Sequence, residues 1–218
     1  MSTNPFSTRL NNTSSNSTSP LEHRHDHQYQ WESPRKKSKP TTTQTLIVPQ
    51  GDSILKDIEP SKVYRNTQVR TLRGSKIVEV EQDLSHVKYT DIEHIIIHIG
   101  TNDIDSGSSV SDTCINAYHS LIQKAKECFP KSTIYISSII HRRNNQYFLK
   151  ASRHGNTLLK DLCEKEGLIF LQHYMVPDRQ LYDNVHLNRL GTALLVRNIQ
   201  DRLGPKLGIN RRKEWVTI

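Results

Sequence analysis

Short apolar runs alternate along the chain with longer segments in which apolar residues recur at helical spacing. The clearest run is "IEHIIIHIG", Ile92–Gly100, whose unbroken β-branched residues predict a strand buried on both faces, as in the middle of a parallel sheet. The other predicted strands are Thr45–Val48, Thr67–Leu72, Ser132–Ile140 and Leu168–Gln172, which makes five strands. The predicted helices are Ser53–Ile58, Ser75–Val87, Ser111–Phe129, Tyr147–Gly167 and Arg189–Gly204.

This alternation of strands and helices predicts an α/β fold in which helices cover both faces of a mainly parallel sheet. Right-handed crossover connections bring the loops at the carboxyl ends of such strands to one edge of the sheet. We therefore expect the functional residues in the loops that follow the strands.

The composition changes sharply near residue 44. Residues 1–43 are rich in Ser, Thr, Asn and Pro and have few large aliphatic side chains, so they bury too little surface to offset the cost of ordering the chain. We predict a disordered tail over 1–43, a folded domain over 44–208 and a short basic tail over 209–218.

The net charge of +8 is concentrated at the two ends of the chain. Three units of excess positive charge lie in residues 1–45 and three in 204–218, which leaves the middle close to balanced. The basic runs are "PRKKSKP", Pro34–Pro40, and "NRRKEW", Asn210–Trp215. Such runs are solvated ends, nuclear import signals or sites of non-specific contact with nucleic acid phosphates. We keep nucleic acid as a candidate partner through the tails alone.

Cysteine usage and hydropathy point to an intracellular protein, cytoplasmic or nuclear. The odd number of cysteines, Cys114, Cys128 and Cys163, and the absence of a signal peptide pattern favour reduced thiols. No apolar stretch approaches the roughly 20 residues that span a bilayer. The sequence indicates no particular oligomeric state.

Four short motifs follow strands or precede helices: "GDS" at Gly51–Ser53, an isolated Gly74, "GTND" at Gly100–Asp103 and "DNVH" at Asp183–His186. In a parallel sheet the first three open at the same edge. Each motif also has a purely structural explanation, because Ser, Asn and Asp cap helices and shape turns and Gly is common in loops.

A chemical explanation is available for the same residues. A serine hydroxyl becomes a nucleophile only when a base removes its proton, so Ser53 requires a histidine. His186 follows Asp183 by three positions, a spacing at which one loop offers an imidazole base and a carboxylate that orients it. The Asn102 side-chain amide and the backbone of Gly74 suit the stabilisation of an oxyanion. His98, within the strongest strand, is expected to be a satisfied core residue.

In this order, "GDSI", an isolated glycine, "GTND" after a central strand and "DxxH" before the last helix resemble the SGNH/GDSL hydrolases, over nearly the whole folded domain. The resemblance implies a flavodoxin-like three-layer α/β/α sandwich and hydrolysis of a small carboxylic ester without a metal or other cofactor. It implies that Ser53 is the nucleophile, with its N–H in the oxyanion hole. Gly74 and Asn102 would complete that hole. His186 would be the base and Asp183 would orient it.

The wording "HIGTNDI" and "DNVHLNRLG" is also similar to esterase-type domains in the first open reading frame of some animal retrotransposons. Two features depart from the SGNH/GDSL pattern: Pro49 and Gln50 stand between the apolar run and "GDS", and the glycine motif "LRGSKI" offers little beyond Gly74.

Two other classes of function stay open at this point. The first is a binding module of the same fold for RNA or protein, with weak or no catalysis, which the basic tails would serve. The second is a two-metal phosphoesterase, which the Asp residues of "GDS" and "GTND" suggest. A two-metal site needs several His and Asp ligands, and only His98 lies near these motifs.

Overall fold

The computed structural model of the chain describes residues 44–51, 57–64, 66–86, 91–104, 112–143, 145–173 and 176–207, and it describes 44–51 by backbone alone. The tails predicted over 1–43 and 209–218 lie outside these residues. The predicted helix Ser53–Ile58 lies outside them too, apart from Asp57 and Ile58, which are not helical.

Strands and helices alternate through the described residues, as the apolar pattern predicts. The strands are β1 (Gln44–Gly51), β2 (Thr67–Val69), β3 (Leu72–Arg73), β4 (Ile92–His98), β5 (Thr133–Ser137) and β6 (Ile169–Leu171). The helices are α1 (Pro60–Val63), α2 (Ile77–Leu84), α3 (Asp112–Cys128), α4 (Gln146–Glu166) and α5 (Arg189–Leu203). None of the described helices is both long enough and apolar enough to cross a bilayer.

All of the pairings within the sheet are parallel. The strand order is β2-β1-β4-β5-β6, and the short strand β3 pairs with β1 beyond the end of β2. Without β3 this order is the 2-1-3-4-5 order of flavodoxin-like doubly wound sheets. The predicted fold class is therefore confirmed.

Within the described residues the sheet has six strands, one more than predicted, because the predicted strand Thr67–Leu72 is divided. β2 pairs with Thr45–Ile47 of β1, whereas β3 pairs with Gln50 and Gly51. The gap between these two ladders falls opposite Val48–Pro49. Pro49, which has no N–H to donate to a neighbouring strand, lies within this gap.

Pro49 does not end β1. The ladder between β1 and β4 continues to Pro49, which is aligned with His98, and the strand runs on through Gln50 to Gly51. The departure noted in the sequence therefore leaves β1 continuous up to Gly51, the first residue of the "GDS" motif.

Alternate residues of β4 enter two separate apolar cores. Ile95 and Ile97 lie in the core that β4 and β5 form with α2, α3 and α4. Ile96 lies in the core on the opposite face, which includes residues of α1 and α5. All three side chains are 0% exposed, as the β-branched run predicts. The sheet is thus the middle layer of a three-layer α/β/α arrangement.

His98 is buried in a chain of hydrogen bonds at the carboxyl ends of β4 and β5, which confirms it as a satisfied core residue. Its Nδ1 lies 2.7 Å from Ser137 Oγ, and this oxygen lies 2.5 Å from Nε2 of His173. The single hydroxyl proton is donated to one imidazole, and the other imidazole donates to the hydroxyl. Burial lowers the pKa of His98 to about 4 and the pKa of His173 well below its usual value.

The three cysteines are free thiols, as predicted. Cys114 and Cys163 are buried and Cys128 is half-buried. Burial, with a smaller contribution from a nearby carboxylate in each case, raises the pKa of the Cys114 and Cys163 thiols to about 12. These two thiols are therefore protonated at physiological pH.

Candidate active site

The carboxyl ends of β1, β3 and β4 lie side by side at one edge of the sheet. Gly51, the last residue of β1, is aligned with Arg73 of β3, and Pro49 is aligned with His98 of β4. Gly74 directly follows β3, and Gly100 lies two residues beyond β4. The register therefore brings the glycine motif and "GTND" to the end of the strand that leads into "GDS". Ser53 itself lies outside the described residues.

Gly74 occupies a conformation that favours glycine. Its φ is +73°, in the left-handed region that L-residues adopt at a cost. A Cβ added at this position would meet no atom within 4 Å, so the backbone conformation and not the available space accounts for a glycine here. The chain is thereby able to turn from β3 towards the first residues of α2.

The "GTND" turn is fixed to both neighbouring helices. Gly100 has a φ of +114°, and a Cβ there would collide with the hydroxyl of Tyr118 on α3. That hydroxyl donates to the carbonyl of Ile99 at 2.5 Å. Asp103 Oδ1 accepts from the backbone N–H of Ile77 at 3.1 Å and so holds the first residue of α2. A carboxylate is favourable at this helix end, where N–H groups lack partners within the helix.

Asn102 points its amide nitrogen towards the glycine motif. Its Nδ2 donates to the carbonyl of Ser75, the residue after Gly74, at 3.4 Å. Its Oδ1 accepts from Nη2 of Arg142 at 3.4 Å, and the same Nη2 donates to the carbonyl of Thr101 at 2.9 Å. The structure therefore brings two of the predicted oxyanion-hole residues to the same place, with the amide donor on the side of the glycine motif.

The "DNVH" motif forms a turn and an acid–base pair at once. Asp183 Oδ1 accepts from the backbone N–H groups of Val185 at 2.7 Å and His186 at 2.6 Å. Asp183 Oδ2 lies 2.6 Å from Nδ1 of His186. The turn and the carboxylate–imidazole contact, which the sequence left as alternatives, are thus made by different oxygens of one carboxylate.

The charge of Asp183 determines the tautomer of His186. Burial by itself would raise the pKa of Asp183, but hydrogen bonds from the backbone N–H and imidazole of His186 and from the N–H of Val185 outweigh it and lower the pKa to about 2. The ionised carboxylate only accepts hydrogen bonds, so Nδ1 of His186 carries the proton. In the neutral imidazole Nε2 then has the free lone pair of a base.

The loop that carries Asp183 and His186 is anchored at both ends. Leu181 and Leu187 are buried and form an antiparallel bridge. Asn188 caps α5, because its Oδ1 accepts from the backbone N–H groups of Leu190 and Gly191 at 3.0 Å each. The position of the imidazole is therefore defined by the core and by the start of the last helix.

Two residues at the site were not predicted from the sequence. The ring of Tyr182 stacks on the imidazole of His186 with a centroid distance of 5.4 Å and an interplanar angle of 15°, although Tyr182 is 55% exposed. Arg142 contacts Thr101 and Asn102, as described above. Arg142 stands in the basic run "HRRNN", and its sequence context does not distinguish it from an ordinary solvated arginine. For Tyr182 the only signal in the sequence is its position next to Asp183.

A metal site is not indicated by the described side chains. No group of three or more His, Cys, Asp or Glu side chains among them is placed to hold a metal ion. His98, the histidine nearest to the two Asp-containing motifs, is already engaged with Ser137.

Solved structures with the same fold include several ester hydrolases. A member of the lipolytic G-D-S-L family from Veillonella parvula is 18% identical, with a TM-score of 0.56 over 72% of this chain and 97% of that chain. A GDSL-like lipase from Bacteroides thetaiotaomicron is 14% identical, with a TM-score of 0.58 over 75% and 89%. A carbohydrate acetylesterase from Sinorhizobium meliloti is 13% identical, with a TM-score of 0.59 over 75% and 100%. No family model and no curated protein sequence matches the chain.

Proposed function

We propose that this chain is a serine esterase of the SGNH type, which hydrolyses an acyl or acetyl ester through an acyl-enzyme. The observation that carries the proposal is the contact of 2.6 Å between Asp183 Oδ2 and His186 Nδ1, because it leaves Nε2 available as a base. The shared fold with GDSL-type lipases and a carbohydrate acetylesterase supports the reaction class.

In the proposed mechanism Ser53 Oγ attacks the ester carbonyl carbon while Nε2 of His186 takes the hydroxyl proton. The carbonyl oxygen becomes an oxyanion that accepts hydrogen bonds from the N–H groups of Ser53 and Gly74 and from Asn102 Nδ2. Loss of one such donor typically lowers kcat by about 10²- to 10³-fold. Asp183 holds the imidazole in its tautomer and stabilises the imidazolium that forms.

The intermediate then collapses. The bond between the acyl carbon and the alcohol oxygen breaks, and the leaving alcohol receives the proton from His186. A water molecule next attacks the acyl-enzyme, and His186 takes its proton. When the bond to Ser53 breaks, that proton returns to the serine oxygen and the carboxylic acid is released. Every proton in the cycle passes through Nε2 of one imidazole, so the mechanism needs no cofactor.

The proposal is tested with p-nitrophenyl acetate and a fluorophosphonate reagent that labels active serines. We expect wild-type turnover and labelling of Ser53, and loss of both in Ser53→Ala. The matched control is Ser61→Ala, because Ser61 is an exposed serine on α1 whose hydroxyl donates to Glu59. Turnover that persists at the wild-type rate in Ser53→Ala, or a wild-type protein that is neither active nor labelled, would contradict the proposal.

Two further predictions from the sequence stand beside this proposal. The binding-module alternative depends on the basic tails, which lie outside the described residues, so nucleic acid binding through them stays a prediction. The similarity to retrotransposon esterase-type domains likewise stays a prediction.

A further inference from the structure

Arg142 lies in the loop between β5 and α4 and reaches across to the "GTND" turn. Its Nη2 donates to the carbonyl of Thr101 at 2.9 Å and approaches Oδ1 of Asn102 at 3.4 Å. Thr101 is buried, and Asn102 and Arg142 are half-buried. One guanidinium nitrogen therefore contacts both the backbone of the turn and the amide that we assign to the oxyanion hole.

The guanidinium of Arg142 also stacks on an aromatic ring. Its Cζ lies 4.3 Å from the ring centroid of Phe148, which is buried in the first turn of α4. Cations over an aromatic face are attracted by the electron density of the ring. The planar guanidinium combines this stacking with in-plane donation, which the compact ammonium of lysine does not reproduce.

The loop that carries Arg142 is also fixed to the other half of the site. The backbone N–H of Arg143 donates to the carbonyl of Asn184, inside the "DNVH" motif, at 2.8 Å. This loop thus joins the "GTND" turn to the loop of the catalytic base.

The contacts with Arg142 and with Ser75 favour the same orientation of the Asn102 amide. With Oδ1 directed to the guanidinium, the planar amide turns Nδ2 towards the carbonyl of Ser75 and the glycine motif. A flipped amide would place N–H donors against the donors of Arg142, which is unfavourable. A charged donor on Oδ1 also polarises the amide and strengthens its N–H groups as donors.

We propose that Arg142 is a positioning residue that holds the Asn102 amide with its nitrogen on the side of the glycine motif, where the proposed oxyanion hole lies. The inference rests on the proposed esterase function for its catalytic consequence, whereas the orientation of the amide is a property of the protein without substrate.

The kinetic test compares Arg142→Met and Arg142→Ala with the wild-type protein on p-nitrophenyl acetate. We expect Arg142→Met and Arg142→Ala to lower kcat by roughly ten- to a hundredfold and to change KM by less than about twofold. A misplaced hydrogen-bond donor lowers kcat less than the complete loss of that donor. Guanidinium ion added to Arg142→Ala should restore part of kcat. The matched control, Arg202→Met, removes an exposed arginine of α5 and should leave kcat unchanged.

A double mutant separates positioning from a general loss of stability. If Arg142 acts through Asn102, Arg142→Met should have little further effect in a protein that already carries Asn102→Ala. We expect kcat of the double mutant to lie within about twofold of that of Asn102→Ala, because the effects of mutations in contacting residues that act together are not additive. An equal fold-loss of kcat in both backgrounds, or a loss that guanidinium ion does not reverse and that parallels a lowered Tm, would overturn the proposal.

A measurement without substrate tests the same contact. The side-chain ¹⁵N–¹H resonances of Asn102 are identified as those lost in Asn102→Ala. We expect them to move in Arg142→Met and not in Arg202→Met. Unmoved resonances in Arg142→Met would contradict the role of Arg142, whatever the kcat of that variant. If the wild-type protein has no turnover and Ser53 is not labelled, the proposed function fails, and these resonances still decide the role of Arg142.

Discussion

The two oxygens of Asp183 have separate tasks in one short loop. Oδ1 shapes the turn by accepting two backbone N–H groups, and Oδ2 holds the imidazole of His186. The folded-state pKa of about 2 lies below the ordinary value of 3.8, so the stabilising contribution of the carboxylate is present above pH 3.8 and is lost as the pH falls through 2. Asp183 therefore stays ionised over the whole range in which esterases are assayed.

Replacing Asp183 by Asn should abolish most of the activity while retaining the turn. The asparagine oxygen is expected to accept the two backbone N–H groups, which leaves the NH₂ group facing Nδ1 of His186. An N–H donor there favours the tautomer with the proton on Nε2, which is no longer a base. We expect kcat for p-nitrophenyl acetate to fall on the order of 10²- to 10⁴-fold.

The control for this substitution is Asp178→Asn. Asp178 is an exposed carboxylate whose partner is also a histidine, His141, at 3.1 Å. Its loss should change kcat by less than about threefold, as for surface ion pairs of low net energy. An Asp183→Asn variant that retains a third or more of the wild-type kcat would exclude Asp183 as the orienting acid.

At the scale of elements, the apolar pattern predicts most of the architecture. The run in β4 predicts burial on both faces, and Ile95 and Ile96 indeed face opposite cores. The division of Thr67–Leu72 was missed, because it depends on the pairing of this segment with the proline-containing end of β1. Helix α1 was missed as well, because only four residues from Pro60 carry its pattern.

The candidate site shows the same division between local and tertiary information. The i to i+3 spacing of Asp183 and His186 predicts their contact because both lie in one turn. Arg142 meets Asn102 from 40 positions away along the chain, and only the packing of the β5–α4 loop brings them together. A single sequence contains no signal for such a contact.

Gly100 illustrates how the end of β4 depends on α3. In Gly100→Ala the positive φ costs free energy for any L-side chain, and the added Cβ collides with the Tyr118 hydroxyl and lies 3.0 Å from Cδ1 of Ile139. We expect the free energy of unfolding to fall by about 2–4 kcal/mol, from backbone strain and overpacking together. Urea unfolding measures this loss.

Gly74→Ala is the matched comparison, since Gly74 also has a positive φ but open space around the added Cβ. It should lower the free energy of unfolding by only about 1 kcal/mol. Tyr118→Phe should recover part of the loss in Gly100→Ala by removing the colliding oxygen. Equal losses in the two glycine variants would show that packing against α3 contributes nothing.

At the scale of the whole molecule, the fold is shared with hydrolases that are only 13–18% identical to this chain. Such likeness is possible because a doubly wound sheet depends on alternating apolar runs and short loops more than on particular residues. The polar groups buried between its layers do depend on particular residues, and we expect them to make the stability of the whole domain sensitive to pH.

The buried pair of His98 and His173 should destabilise the folded protein in mild acid. Their pKa values in the folded state lie below the unfolded value of about 6.5, so the unfolded chain binds more protons below that pH. Their contribution to stability is complete above about pH 6.5 and declines as the pH falls towards 4. Each histidine adds a slope of up to about 1.4 kcal/mol per pH unit in this window.

Urea unfolding at a series of pH values between 8 and about 4 tests this prediction. In His98→Gln the free energy of unfolding should fall less steeply with decreasing pH, because the unfolded chain then takes up as much as one proton fewer relative to the folded state. The variant should be less stable than the wild type at pH 8, because a buried partner of Ser137 is altered, and the two curves should converge as the pH falls. The control His154→Gln changes an exposed histidine of α4 and should run parallel to the wild type. Parallel curves for His98→Gln would show that His98 takes up its proton equally in the folded and unfolded chain.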